Sequence, residues 1–362
     1  MALTCKKLTF IFIFLMGSIK HSIQFGAFPS TAVVLKDTIW TPLQILRDTQ
    51  DPSTLCISTS KSPRLAKDEP YASAVLKAWR DESKTWSSNH SESVGAPFAY
   101  QRKEDGAMFN GYLVAPASKV NNTAAAQIET IPVVILFHTG AGPQDIFLKW
   151  KADALVQKLQ CAVFIADIIS DGEGYAWSDR KRYEAARIDV LTAYEERGQI
   201  ARWKLRQTIS AALDFLRGID FVDADKMAGV GWCMGGHPIL ELGLMQEACV
   251  KSLVSYHGVL DGVKDHLDKP SIDSKLIGDR TRVLICNGEQ DPFVSQQEVE
   301  VAKKILESSQ GCIVHIMNFN GVKHGFTNPA QDFNPSDEFV YDENAANLSW
   351  EATLNLLRET IQ

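Results

Sequence analysis

The chain has 362 residues, 45% of them hydrophobic, and a formal charge of −7. That length supports one large core or two modest ones. The negative balance, with no basic stripe interleaved with aromatics, argues against nucleic acid as a partner. Seven cysteines form no C-x-x-C and no metal-ligand spacing, so neither a disulfide scaffold nor a metal centre is indicated.

Residues 1–27 read as a signal or targeting peptide. Lys6-Lys7 precede the mostly apolar run Leu8–Ile19, and Lys20-His21 follow. The run is shorter than the ~20 residues of a membrane span, so no stable span is expected. The expected destination is the secretory pathway, secreted or lumenal. The stretch Phe25-Gly-Ala-Phe-Pro-Ser30 is also similar to the junction of two-part plastid presequences, which gives a plastid route as the alternative.

Residues 28–95 show little periodicity beyond a helix at Tyr71–Trp86 and are expected to form an irregular N-terminal extension. From 96 to 362 the pattern becomes regular. Strands are predicted at Met108–Ala115 and Ile131–Phe137, a helix at Asp145–Leu159 and a strand at Cys161–Ala166. A polar loop is expected from Asp167 to Gln199, then a helix at Ile200–Arg217. Strands follow at 226–232, 251–256 and 282–287. A helix opens at the capping box Ser295-x-x-Glu298, and strand 312–319 and helix Asn344–Glu359 complete the set. Strands alternating with helices predict an α/β fold with a mostly parallel central sheet and helices on both faces.

The segment Gly231-Trp-Cys-Met-Gly-Gly236 lies between a predicted strand and a predicted helix. Strand, G-x-C-x-G, helix is the pattern of a nucleophile elbow, with cysteine where serine is more usual. Such a turn needs small residues two before and two after the nucleophile. It also sets the thiol at a helix N-terminus, where unpaired N–H groups favour thiolate. A lone G-x-C-x-G fits a buried structural cysteine as well. Asp291 and His324, however, each follow a later predicted strand, and nucleophile, acid, histidine is the α/β-hydrolase order. Cys233, His324 and Asp291 are the candidate catalytic residues. The oxyanion hole is assigned to the backbone N–H groups of Met234 and Gly140, the latter in the loop His138-Thr-Gly-Ala-Gly142. Substrate contacts are assigned to His138, Thr139, Arg182, Arg206 and His257. One or two arginines of the 167–206 stretch are candidates to clamp a substrate carboxylate.

Together these segments resemble the dienelactone hydrolase family, proteins similar to carboxymethylenebutenolidases. The carriers are Phe137–Gly142, Asp167, Val222-Asp223, Gly231–Gly236, Ser255–Gly258, Gly288–Pro292, His324-Gly-Phe-Thr-Asn-Pro329 and the tail Tyr341-Asp…Ser349-Trp350. The resemblance implies an α/β-hydrolase fold from about residue 97 and a cofactor-free enzyme, monomeric or weakly dimeric. It implies cleavage of lactones or small esters through a Cys-His-Asp triad. The best-studied members place a glutamate in the oxyanion loop that helps generate the thiolate; the aligned position here is Thr139, which cannot act as a base. A plain Cys-His pair then has to suffice. The expected function is hydrolysis of an ester, lactone or thioester of a small molecule. An acyl transferase on the same triad is the first alternative, and a non-catalytic binding or thiol redox-sensing protein on the same fold is the second.

Overall fold

The structure, a computed structural model, describes residues 38–49, 69–120, 129–169, 180–191, 202–266, 280–308 and 311–362. The expected targeting peptide, residues 1–27, lies outside them. Among the described residues the strands are β1 (Thr41–Pro42), β2 (Ser93–Gln101), β3 (Met108–Pro116), β4 (Ile131–Phe137), β5 (Ala162–Ala166), β6 (Val222–Trp232), β7 (Val250–Tyr256), β8 (Thr281–Gly288) and β9 (Cys312–Phe319). They form one sheet in the order β1-β2-β3-β5-β4-β6-β7-β8-β9. Pairing is antiparallel from β1 to β5 and parallel from β5 to β9.

The near-continuous apolar runs of the central strands follow from burial on both faces of the sheet. Along β4, Val133, Ile135 and Phe137 enter one apolar cluster while Val134 and Leu136 enter the other. This is the period-2 alternation of strand side chains, with both sides dry.

The helices among the described residues are α1 (Leu43–Arg47), α2 (Glu69–Ser83), α3 (Ala117–Val120), α4 (Ile146–Leu159), α5 (Arg180–Leu191), α6 (Trp203–Arg217), α7 (Gly236–Met245), α8 (Gln296–Ser308) and α9 (Glu343–Ile361). α6, α7 and α8 cover one face through Ile209, Leu213, Ile239 and Val299. α2, α4 and α9 cover the other through Leu76, Trp79, Leu155 and Leu354. None of the described helices is long and apolar enough to cross a membrane.

Local chemistry sets the helix starts. At α8 the capping box is complete: the Glu298 N–H donates to Ser295 Oγ at 3.2 Å, and the Ser295 N–H donates to Glu298 Oε2 at 3.0 Å. At α4, Asp145 is the N-cap and its Oδ1 accepts from the Phe147 N–H at 3.0 Å.

Two sequence expectations need correction. Residues 28–95 are not irregular throughout, because α1 and α2 pack into the core through Leu43, Leu46, Val75, Leu76 and Trp79. Trp79 is fully buried, and its Nε1–H donates to Asp153 Oδ2 at 2.8 Å. The polar stretch 167–199 is not all loop either, since it contains α5. Its sequence, Arg-Lys-Arg-Tyr-Glu-Ala-Ala-Arg-Ile-Asp-Val-Leu, offers little apolar periodicity to announce a helix.

Candidate active site

β6 ends at Trp232, and the chain turns sharply through a single 3₁₀ turn, Cys233–Gly235, into α7. Cys233 has φ +53°, a left-handed conformation that costs a non-glycine residue energy and is held only by its surroundings. Close approach explains the flanking glycines. A side-chain carbon at Gly231 would come within 2.2 Å of the Gly235 carbonyl oxygen, and one at Gly235 within 2.4 Å of the Phe137 carbonyl oxygen. Cys233 is half-buried at the floor of a cavity, whereas Cys161, Cys249, Cys286 and Cys312 are buried.

His324 lies in the loop after β9 and Asp291 in the loop after β8. His324 Nδ1–H donates to Asp291 Oδ2 at 2.7 Å. The other carboxylate oxygen of Asp291 accepts from the N–H groups of Phe293 at 2.8 Å and Val294 at 3.2 Å. The Cys233 thiol and the His324 ring border the same cavity, near enough that each shifts the proton affinity of the other. The structure thus brings the three residues together, with His324 hydrogen-bonded to Asp291 and sharing a cavity with Cys233. His324 is further held by its backbone: its N–H donates to the Glu338 carbonyl and its carbonyl accepts from the Val340 N–H, both at 3.2 Å. The rings of Phe293, Phe339 and His257 pack edge-on against it, at centroid distances of 5.0, 5.2 and 4.6 Å.

The electrostatics follow from this geometry. Burial works against charge on the Cys233 sulfur, but the neighbouring His324 and the Met234 N–H outweigh it and lower the thiol pKa. Burial also works against a charged His324, yet the adjacent sulfur and Asp291 raise its pKa to about 10. Opposite shifts in two neighbouring groups favour a thiolate–imidazolium pair. Burial and the neighbouring His324 push His257 far below the ordinary imidazole range, so it stays neutral.

The cavity above Cys233 has a volume of about 550 Å³. Thr139 and Gly140 border it beside Cys233, and His257 forms part of its wall. The turn 139–142 is closed internally: the Ala141 N–H donates to Thr139 Oγ1 and the Gly142 N–H to the Thr139 carbonyl, both at 3.0 Å. The Thr139 hydroxyl is therefore an acceptor inside its own turn. The Met234 N–H lies near enough to the Cys233 sulfur to favour its charged form.

Other residues assigned to substrate contact sit elsewhere. His138 is fully buried and does not reach the cavity. Its Nδ1–H donates to the Thr139 carbonyl at 2.6 Å and its Nε2 accepts from the Ile168 N–H at 3.2 Å, so it braces the turn. Arg206 is likewise buried away from the cavity, with its Nε–H donating to Glu241 Oε2 at 2.7 Å. A buried carboxylate needs such a partner, and Arg206 serves Glu241 away from the cavity that Cys233 borders. Arg182 belongs to α5, but its side chain lies outside the described residues. The arginine that does border the cavity is Arg187, which donates to Asp261 at 2.6 Å. Sequence reasoning also missed Tyr71, Phe293 and Phe339 on the wall. Tyr71 sits in a segment read as an extension, and an aromatic in a loop carries no motif.

Comparison with known proteins decides the family. A model of the dienelactone hydrolase family matches residues 113–361. The chain belongs to that family. Membership makes this dienelactone hydrolase family protein an ester hydrolase. Among curated proteins, an uncharacterized protein of Caenorhabditis elegans is 28% identical over 156 residues, 43% of this chain and 94% of its own length. Among solved structures, the protein m3DLH matches with a TM-score of 0.59 and 23% identity over 75% of this chain and 99% of that one. A dienelactone hydrolase-like promiscuous phosphotriesterase from metagenomic libraries matches with a TM-score of 0.59 and 22% identity over the same shares. At these identities the two structures speak for the α/β-hydrolase fold.

Proposed function

We propose that this family member is a cysteine hydrolase that cleaves an ester or lactone of a small molecule through Cys233, His324 and Asp291. The observation that carries the reading is His324, which is hydrogen-bonded to Asp291 and borders the cavity with Cys233, its affinity for a proton raised by both. In this mechanism the thiolate attacks the substrate carbonyl carbon and the carbonyl oxygen becomes an oxyanion. The N–H groups of Met234 and Gly140 receive that oxygen, each contributing ~3–4 kcal/mol to the transition state. His324 then gives its proton to the departing alkoxide, leaving a thioester on Cys233. Water attacks the thioester, with His324 taking its proton, and the acid leaves as the thiolate reforms. Asp291 holds the imidazole orientation and stabilises its charged form throughout.

A cavity of about 550 Å³ walled by Phe147, Trp232, Phe293 and Phe339 suits a compact, partly apolar substrate. The test is a panel of p-nitrophenyl esters and small lactones, with a Cys233→Ser variant alongside. Turnover of short esters or lactones is expected from the natural chain, with a loss of about 100-fold or more in the variant. Equal activity of the two proteins would refute the proposal.

A further inference from the structure

One wall of the cavity comes from outside the family-matched segment. Tyr71 lies on α2, forty-two residues ahead of position 113 where the match to the family begins. Its ring borders the same cavity as Cys233 and His324. Its hydroxyl donates to the Asp145 carboxylate, with Oδ2 at 3.1 Å, and accepts from Asn328 Nδ2–H at 2.8 Å. Both partners stand at structural joints. Asp145 is the N-cap of α4, and its N–H donates to the Gly142 carbonyl at 3.3 Å at the end of the 139–142 turn. Asn328 lies four residues after His324 and caps the short 3₁₀ helix Pro329–Phe333, its Oδ1 accepting from the Ala330 N–H at 3.0 Å. Both residues are buried, so each polar group needs the partner it has.

We infer that Tyr71 is a positioning residue for the reaction: its hydroxyl ties the far end of the oxyanion turn to the histidine loop and fixes the gap that the substrate carbonyl must enter. This rests on the Cys233 reading above. The two tied loops are not equally dependent on it. His324 is also held by Asp291 and by its backbone pairing with Glu338 and Val340. The 139–142 turn closes on itself and is braced at its start through His138 against the Ile168 N–H, while Tyr71 links its far end to a separate helix. Loss of the hydroxyl should therefore loosen the oxyanion side and spare the thiolate–imidazolium pair. Displacements of about 1 Å or less at such a site cost large factors in rate, because the donors must meet the oxygen where charge develops.

The experiment uses the full chain with Tyr71→Phe, which keeps the ring, and Asp145→Asn, which keeps a cap acceptor but replaces Oδ2, the nearer acceptor of the phenol hydrogen bond, with an N–H donor. Ester turnover, the pH profile of Cys233 alkylation and thermal unfolding are measured on both. Expected in Tyr71→Phe, and again in Asp145→Asn, are a kcat lowered about tenfold with KM within twofold, an unmoved alkylation profile and cooperative unfolding. Unchanged kcat in Tyr71→Phe overturns the inference. So does a fall in alkylation that keeps step with turnover, since that would make Tyr71 a support of the fold alone. If Tyr71→Phe does not fold, the Asp145→Asn variant decides by the same two criteria. Cys233→Ala in the same assay separates the underlying reading: turnover surviving there refutes the nucleophile, whatever the Tyr71 variants show.

Discussion

At Cys233 a strained backbone, a helix N-terminus and a neighbouring imidazole act together on one sulfur. The φ of +53° has no compensating small side chain, so the glycines at 231 and 235 provide the room instead. Thr139 offers no carboxylate to compete for the proton of Cys233, and its hydroxyl is used by its own turn. The thiolate–imidazolium pair should therefore exist before substrate arrives. Thr139→Glu would set a negative charge beside the sulfur and raise its pKa. The alkylation midpoint of the free variant should then lie about one pH unit above that of the natural chain, with a rate about tenfold lower on the acid side of both midpoints. An unchanged rate would place residue 139 too far from the sulfur to matter. The meeting of Cys233, Asp291 and His324 at one site was legible in the sequence because each sits in a short motif after an apolar strand. Tyr71, Phe293 and Phe339 were not, since their place in the wall depends on long-range packing that no local pattern encodes. Arg206 misled for the opposite reason: a charged residue near a site reads as a substrate contact until its buried partner Glu241 is seen.

Among the elements, the parallel strands were the easiest to read, because burial on both faces demands continuous apolar runs such as Ile131–Phe137. β2 was missed. Its sequence, Ser-Val-Gly-Ala-Pro-Phe-Ala-Tyr-Gln, contains Gly95 and Pro97, and β1 pairs only with Val94 and Gly95. Pro97 thus falls where β2 is an edge, the setting in which a strand tolerates proline. α2 was visible as a helix, but its burial was not. Trp79 anchors it with no exposure and a hydrogen bond to Asp153, whose pKa burial raises to about 6. Trp79→Ala should cost about 3–5 kcal/mol, through lost burial, a cavity and the lost hydrogen bond to Asp153. Chemical denaturation of the two proteins measures it. A cost below about 1 kcal/mol would mean that α2 lies on the domain without supporting it.

For the whole molecule, the sheet brings residues far apart in sequence to one edge of the cavity. β6, β8 and β9 run parallel, so the loops that follow them open on the same side. That common side is why Cys233, Asp291 and His324 meet although they are scattered along the chain. The enzyme's pH behaviour then belongs to the assembled pair. The lowered thiol pKa extends the thiolate downward in pH, and the raised His324 pKa keeps the imidazolium up to about 10. Turnover should fall on the acid side as the thiolate is lost, and on the alkaline side above about pH 10 as His324 loses the proton needed by the leaving group. Whether Cys233 is the activated nucleophile is decided by its rate of iodoacetamide labelling against pH, with residual esterase activity followed in the same samples. Expected are a midpoint below the ~8.5 of a free thiol, labelling of Cys233 ahead of the buried cysteines, and activity lost in proportion to Cys233 modified. A midpoint at ~8.5 or above, or full activity after complete modification of Cys233, would contradict that role.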